Sequence, residues 1–233
     1  MKKLRILTSL AALLLLSFSS TLYAMCVDSV VLVHGNTSSP SSWDNTFNLL
    51  RSNGYSSSQI FRPAWGSRTC AACNNHSGSE ETPVRQAIID ALNSSCTGSI
   101  DVIGHSMGAT LAAQQISKLG VASSVDSFVG IAGAFRGLRS CGFYPFNVPT
   151  STCGAAGLSV GSPFLDGIFG DPFGRRMYSI KSLIDQVVCS TGFCTVGGVH
   201  SSRIPGENGS VTLALGHFGL QTSTAQRQFD LIR

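Results

Sequence analysis

Ile100-Asp101-Val102-Ile103-Gly104-His105-Ser106-Met107-Gly108-Ala109-Thr110-Leu111-Ala112-Ala113 joins an apolar run to an alanine-rich one through Gly-His-Ser-Met-Gly. Residues 100–103 have the composition of a buried strand, and residues 109–119 repeat apolar positions at helical spacing. Glycines two positions either side of Ser106 remove the side chains that a sharp turn would bring together. The pattern therefore predicts a strand, a tight turn and a helix, with a serine hydroxyl lifted clear of the sheet edge. The same pattern recurs at Gly157-Leu158-Ser159-Val160-Gly161, but in a Gly-rich stretch ahead of Pro163 with neither element expected beside it. Ser106 is the nucleophile candidate, and Ser159 is read as a turn residue.

Working outward, the residues around this unit alternate between strand and helix patterns. Residues 27–33, rich in valine, read as a fully buried strand ending at His34-Gly35. A helix is expected over 42–52, a short strand over 59–64 and a small-residue loop over 66–79. Thr82-Pro83 looks like the opening of another helix, with Thr as N-cap and Pro at the first helical position. Further strands are expected at 127–131, 177–181 and 211–215, and a last helix from Thr224. Residues 133–175 show little periodicity and are expected to be irregular. Strands alternating with helices indicate a parallel sheet covered on both faces, built as one domain over residues 25–233.

A serine hydroxyl attacks poorly until a histidine takes its proton, and a carboxylate must orient that imidazole. On such a sheet the acid and then the base follow the serine along the chain. Only His200 and His217 lie beyond Ser106 in the last part of the chain. His217, in Gly216-His217-Phe218-Gly219 between an apolar strand and the last helix, is the candidate base, and His200 is read as a loop histidine. Asp185 follows the strand at 177–181 and so falls at the carboxyl edge, where reactive loops gather. Asp166 and Asp171 lie in the irregular segment, and Asp126 precedes its strand on the wrong edge. The developing oxyanion needs fixed backbone donors. Met107, after the nucleophile, and Asn36, in the loop after the first strand, are the candidates. His34 is read as a structural loop histidine.

The N-terminus has the layout of an export signal: Lys2, Lys3 and Arg5, an apolar run over 6–18, and a polar stretch ending at Ala24. Cleavage after Ala24 would leave about 209 residues, room for one core and too few for two ordinary domains. Three of the sixteen basic residues go with the leader, so the remainder nearly balances twelve acids. No basic stripe suggests nucleic acid. Eight cysteines, all beyond the leader, suit disulfides in an exported chain. Cys70-x-x-Cys73 has metal-ligand spacing, but no second pair completes a zinc site, and no loop has a recognisable calcium-ligand pattern.

The segments Val30-Val31-Leu32-Val33-His34-Gly35, Ile100 through Gly108, Tyr178 through Asp185, and Gly216-His217-Phe218-Gly219-Leu220 resemble the class 2 lipases in kind and order. These are small secreted enzymes with a minimal α/β-hydrolase fold. The resemblance implies a largely parallel sheet with helices on both faces. It implies a triad of Ser106, Asp185 and His217, with oxyanion amides from Asn36 and Met107. The chain departs from the smallest members in its eight cysteines and the long segment 133–175.

In the sheet order so implied, the first strand neighbours the serine's strand. Cys26 and Cys96 precede those strands and are expected to pair at the edge away from Ser106. Cys141–Cys153 and Cys189–Cys194 suit local loops, leaving Cys70–Cys73. Segment 133–175 carries Phe143, Phe146, Phe164, Phe169 and Phe173. These rings either border an acyl-binding cleft as a disulfide-braced partial lid or pack the segment onto its own body.

The expected function is hydrolysis of carboxylic esters, lipids foremost, by a secreted or periplasmic monomer that needs no cofactor and meets its substrate at a lipid–water interface. Short-chain esters, polyesters or acyl transfer to alcohols would use the same triad. A binding protein on a retired scaffold is the non-enzymatic alternative.

Overall fold

The computed structural model describes residues 26–233; the expected leader, residues 1–24, lies outside them. In chain order the strands are β1 (Ser29–Val33), β2 (Ile60–Phe61), β3 (Ile100–His105), β4 (Val125–Ile131), β5 (Leu138–Phe143), β6 (Ser159–Val160), β7 (Arg176–Lys181), β8 (Thr195–Val196), β9 (Val199–His200) and β10 (Gly209–Thr212). The helices are α1 (Asp44–Ser52), α2 (Glu81–Ser94), α3 (Met107–Leu119), α4 (Pro163–Ile168), α5 (His217–Thr222) and α6 (Ala225–Leu231). Six strands form one parallel sheet in the order β10-β7-β4-β3-β1-β2, so the fold is the α/β-hydrolase sheet expected, with β1 beside β3.

Strand residues alternate between two cores. Val31, Val33, Ile100, Val102 and Phe128 face one packed layer with Val84 and Ile88 of α2 and Leu111 and Ile116 of α3. Val30, Leu32, Ile103, Val129 and Ile180 face the other, with Trp43, Leu50 of α1 and Phe229 of α6. Burial on both faces is why β1 reads as an unbroken apolar run rather than an alternating one.

Several local expectations are corrected. The helix expected to open at Thr82 begins at Glu81, after a 3-10 turn over Gly78–Glu80. Thr82 caps nothing. Glu81 has moved inside because its nearly buried carboxylate binds Arg85 at 2.9 Å and also Lys118 of α3. Asp126 lies within β4 rather than ahead of it. His217 opens a helix of its own, α5, instead of sitting in a loop before α6.

Segment 133–175 is not irregular throughout. It contains the β5–β6 ribbon and α4. Ser159, expected in a bare loop, lies buried in β6, outside the main sheet, with α4 just beyond. Its pattern thus comes with both element types yet presents no serine at the surface.

The cysteines pair as Cys26–Cys96, Cys70–Cys73, Cys141–Cys153 and Cys189–Cys194. Cys26–Cys96 ties the starts of β1 and β3 together. Among the described residues no helix is long and apolar enough to cross a membrane.

Candidate active site

Between Ser99 and Ile116 every residue but one is buried; the exception is Ser106. Its backbone sits at φ 54°, ψ −130°, a conformation costly for a residue with a Cβ and held only where the surroundings fix it. The surroundings are specific. The Ser106 N–H donates to the Ile131 carbonyl at 2.8 Å, and the Ser106 carbonyl accepts from the Ala109 N–H at 3.0 Å. A Cβ on Gly104 would lie 2.4 Å from Ala109 Cα, and one on Gly108 2.0 Å from the His34 carbonyl oxygen. Both glycines are therefore demanded by backbone approach: the first by the fold-back of α3 on β3, the second by α3 pressing on the end of β1.

Ser106 Oγ lies 2.9 Å from His217 Nε2. His217 Nδ1 lies 2.9 and 2.8 Å from the two oxygens of Asp185. Since a carboxylate only accepts, Nδ1 carries the ring proton and Nε2 faces the serine hydroxyl as acceptor. Burial pushes the Asp185 carboxyl up, but the His217 hydrogen bond and charge, with the Val188 and Val187 N–H groups, more than offset it, and its pKa lies below the usual value. Both amides donate to Oδ1 at 2.8 Å. The structure thus joins the three expected residues from three distant stretches, with the acid held as an anion.

Asn36 sits in the turn after β1, and the turn lies against the serine: a Cβ on Gly35 would be 3.1 Å from Ser106 Cβ. The Asn36 side chain is occupied elsewhere, donating to the Ala71 carbonyl at 2.9 Å and accepting from Asn74 at 2.6 Å. Any part it takes at the site falls to its backbone N–H. Met107 is the first residue of α3, so its N–H is among those a helix cannot pair internally.

The other histidines have structural partners. His34 stacks on Trp65, whose backbone N–H it accepts. His200 Nε2 donates to the Ser182 carbonyl at 2.9 Å. His76 is stacked on Phe164 and bonded to Thr110, and burial drives its pKa down to about 3. Asp166 lies in the first turn of α4, Asp171 follows the helix, and Asp126 binds Arg175 and Arg176.

Sequence reasoning missed two residues that touch the main chain of His217. Gln186 Oε1 accepts its N–H at 2.8 Å, and His105 Nε2 donates to its carbonyl at 3.1 Å. Their positions beside Asp185 and Ser106 were the available signal.

The five phenylalanines divide. Phe164 and Phe173 are buried, Phe173 against Phe128 and Phe135, whereas Phe143, Phe146 and Phe169 are exposed. The segment they belong to packs on the 66–79 loop: Thr152 Oγ1 donates to the Asn74 carbonyl at 2.6 Å, and the His76 N–H to the Ala156 carbonyl at 2.8 Å. That loop in turn holds Asn36.

Among the described residues two groups have metal-binding residue types. Cys189, Cys194 and His200 lie together, but the cysteines are bonded to each other. Asp28, Asp101 and Asp126 converge at the opposite edge of the sheet, a juxtaposition invisible in a chain that places one just before β1 and the others in β3 and β4. Two arginines already hold Asp126 there.

A parallel sheet with a serine, a histidine and an aspartate hydrogen-bonded in line at its carboxyl edge is the arrangement of an α/β-hydrolase. The family model of lipase (class 2) matches residues 28–230, and the chain belongs to that family. It is therefore a carboxylic ester hydrolase. No curated relative is matched by sequence.

Solved structures agree in fold. A metagenome-derived lipolytic enzyme superposes with TM-score 0.57 at 16% identity, over 88% of this chain and 92% of the other. A Bacillus licheniformis lipase in its mature form gives 0.60 at 12% identity, over 88% and 91%. A pyrethroid hydrolase gives 0.52 at 14% identity, over 88% and 96%.

Proposed function

We propose that the chain is an exported lipase acting through an acyl-enzyme on Ser106. The observation that carries this is the hydrogen-bonded line from Ser106 through His217 to Asp185, anchored on a strained, half-buried serine in an otherwise buried stretch. Ser106 Oγ attacks the acyl carbon as its proton passes to His217 Nε2. The N–H groups of Met107 and Asn36 stabilise the oxyanion, each such donor being worth about 2.7–4 kcal/mol. His217 then gives the proton to the departing alcohol. Water, deprotonated by His217, attacks the acyl-enzyme; the bond to Ser106 Oγ breaks, His217 returns the proton to that oxygen and the acid leaves, with Asp185 holding the imidazole throughout.

Lipid esters are the favoured substrates. Leu183 and Ile184 directly precede Asp185, Phe218 directly follows His217, and all three side chains are exposed. Apolar residues beside the acid and the base suit acyl chains and a lipid–water interface better than small polar esters. The protein acts as a monomer, secreted or periplasmic; the leader and four disulfides support export.

The test compares the oxidised mature protein with Ser106→Ala on nitrophenyl esters of increasing chain length and on emulsified triglyceride. Loss of the nucleophile is expected to cost about 10⁶ in turnover, with wild-type activity extending to long chains and emulsion. Turnover surviving in Ser106→Ala would reject the serine mechanism, and activity confined to short soluble esters would make the protein an esterase.

A further inference from the structure

Asp185 fixes the ring of His217, but a ring is only as well placed as the backbone carrying it. His217 is the first residue of α5, and its N–H has no acceptor within the helix. The preceding Gly216 has no side chain to cap it. The acceptor is instead Gln186 Oε1, at 2.8 Å. Gly216 also lets that amide in, since a Cβ there would lie 2.8 Å from Gln186 Oε1.

The other end of the residue is held as well. His105 Nε2 lies 3.1 Å from the His217 carbonyl oxygen. A carbonyl only accepts, so Nε2 carries the proton. Nδ1 is buried with no hydrogen-bond partner among the described residues. It faces Gly35, whose added Cβ would come within 2.8 Å. The two imidazole rings lie 4.8 Å apart, where two positive charges would repel. Burial first, and the neighbouring His217 next, lower the His105 pKa to about 3, so it stays a neutral donor.

We infer that Gln186 and His105 are positioning residues that grip the two main-chain ends of His217, setting the Nε2–Ser106 geometry which Asp185 alone cannot set. The inference rests on the triad proposed above. It gives the loop after β7 two tasks: residue 185 orients the ring, and residue 186 orients the backbone. It gives the residue before the nucleophile a task of its own, linking β3 to α5.

The experiment measures kcat, KM and thermal midpoint on a soluble ester for Gln186→Leu, Gln186→Glu, His105→Leu and His105→Gln. Misplacing a reacting group by about 1 Å can cost about 10² in rate. Each leucine variant is thus expected to lose about 10- to 100-fold in kcat, with KM changed less than about 3-fold. Gln186→Glu keeps an acceptor oxygen and His105→Gln keeps a donor near the Nε2 position. Both should recover kcat to within about threefold of wild type. The carboxylate of Gln186→Glu should also shift the acid limb of the pH–rate profile toward higher pH, by favouring protonated His217.

Leucine variants with wild-type kcat would overturn the inference. So would losses that the Glu and Gln variants fail to reverse. Should a leucine variant not fold, Gln186→Met or His105→Met removes the same group from a flexible side chain and is judged identically. If wild-type turnover itself survives Ser106→Ala, the triad proposal has failed instead.

Discussion

At the carboxyl edge of the sheet Asp185 is 1% exposed, and at the amino edge Asp101 is also 1% exposed, yet their carboxyls are driven in opposite directions. Asp185 accepts from His217 and two backbone N–H groups and is held below its usual pKa. Asp101 has one N–H, from Ser127 at 3.0 Å, and a second oxygen without a partner among the described residues. Burial, then Asp28 and Asp126, push it well above the usual value. Burial raises both carboxyls; at Asp185 the donors and His217 more than offset it, whereas at Asp101 neighbouring carboxylates add to it. The carboxyl edge spends backbone strain and polar groups on Ser106 and His217. The amino edge, with its disulfide and its arginine-bound Asp126, holds the strands together.

The widest separation between the edges should come from one substitution made at each. Asp185→Asn is expected to lower kcat about 10⁴-fold, because the amide no longer fixes the ring tautomer. Asp101→Asn should leave kcat within about twofold and maintain or raise the thermal midpoint, since it replaces a carboxyl already resisting its charge. Ester kinetics and thermal unfolding on both variants check the pair. Equal losses of activity would erase the distinction.

Breaking the brace at the amino edge should cost stability alone. The Cys26→Ser, Cys96→Ser protein opens a loop of sequence separation 70, worth about 4 kcal/mol in the chain-entropy model. Urea unfolding is expected to show that loss with kcat unchanged. A fall in kcat at temperatures where the protein is fully folded would mean the brace reaches the active edge.

Gly108→Ala sharpens the contrast from the other side. Its new Cβ meets the His34 carbonyl oxygen at 2.0 Å, whereas one on Gly98, near the amino edge, meets nothing. The first should cost about 3 kcal/mol by overpacking and displace Ser106. The second, strained only by its positive φ of 77°, should cost about 1 kcal/mol. Denaturation and kinetics together read both effects.

The smallest effect is on stability against pH. His76 and His105 are held neutral in the fold, both near pKa 3, while the unfolded chain protonates them below about 6.5. Acid therefore favours unfolding: their contribution is complete above pH 6.5 and declines below it. Asp101 works against this, being raised in the fold and so binding a proton the unfolded chain releases. His34 and His200 are lowered in the fold as well, so the histidines outnumber the one carboxyl and unfolding takes up protons on balance below pH 6.5. Between pH 6.5 and 5 the urea midpoint should fall. A flat or rising midpoint would show that these histidines are not held neutral in the fold.

The central sheet was legible because β1, β3 and α3 carry uninterrupted patterns: apolar runs buried on both faces, and an alanine-rich helix after a glycine-flanked serine. Glu81 and His217 were less legible. The first was drawn into α2 by Arg85 and Lys118, and the second opens a helix too short to show periodicity. Segment 133–175 hid a ribbon and a helix because β5 and β6 pair across a long connection and α4 spans only six residues, too few to show a repeat.

By itself the sequence determined the sheet class, the strand-turn-helix around Ser106, and the candidates Asp185 and His217, since local spacing and chain order carry that information. Only the tertiary structure decided which phenylalanines are buried, that three aspartates meet at the amino edge, and that Gln186 and His105 reach the backbone of His217. Those facts depend on contacts between residues far apart in the chain, such as the 112 positions separating His105 from His217, and no local pattern encodes them.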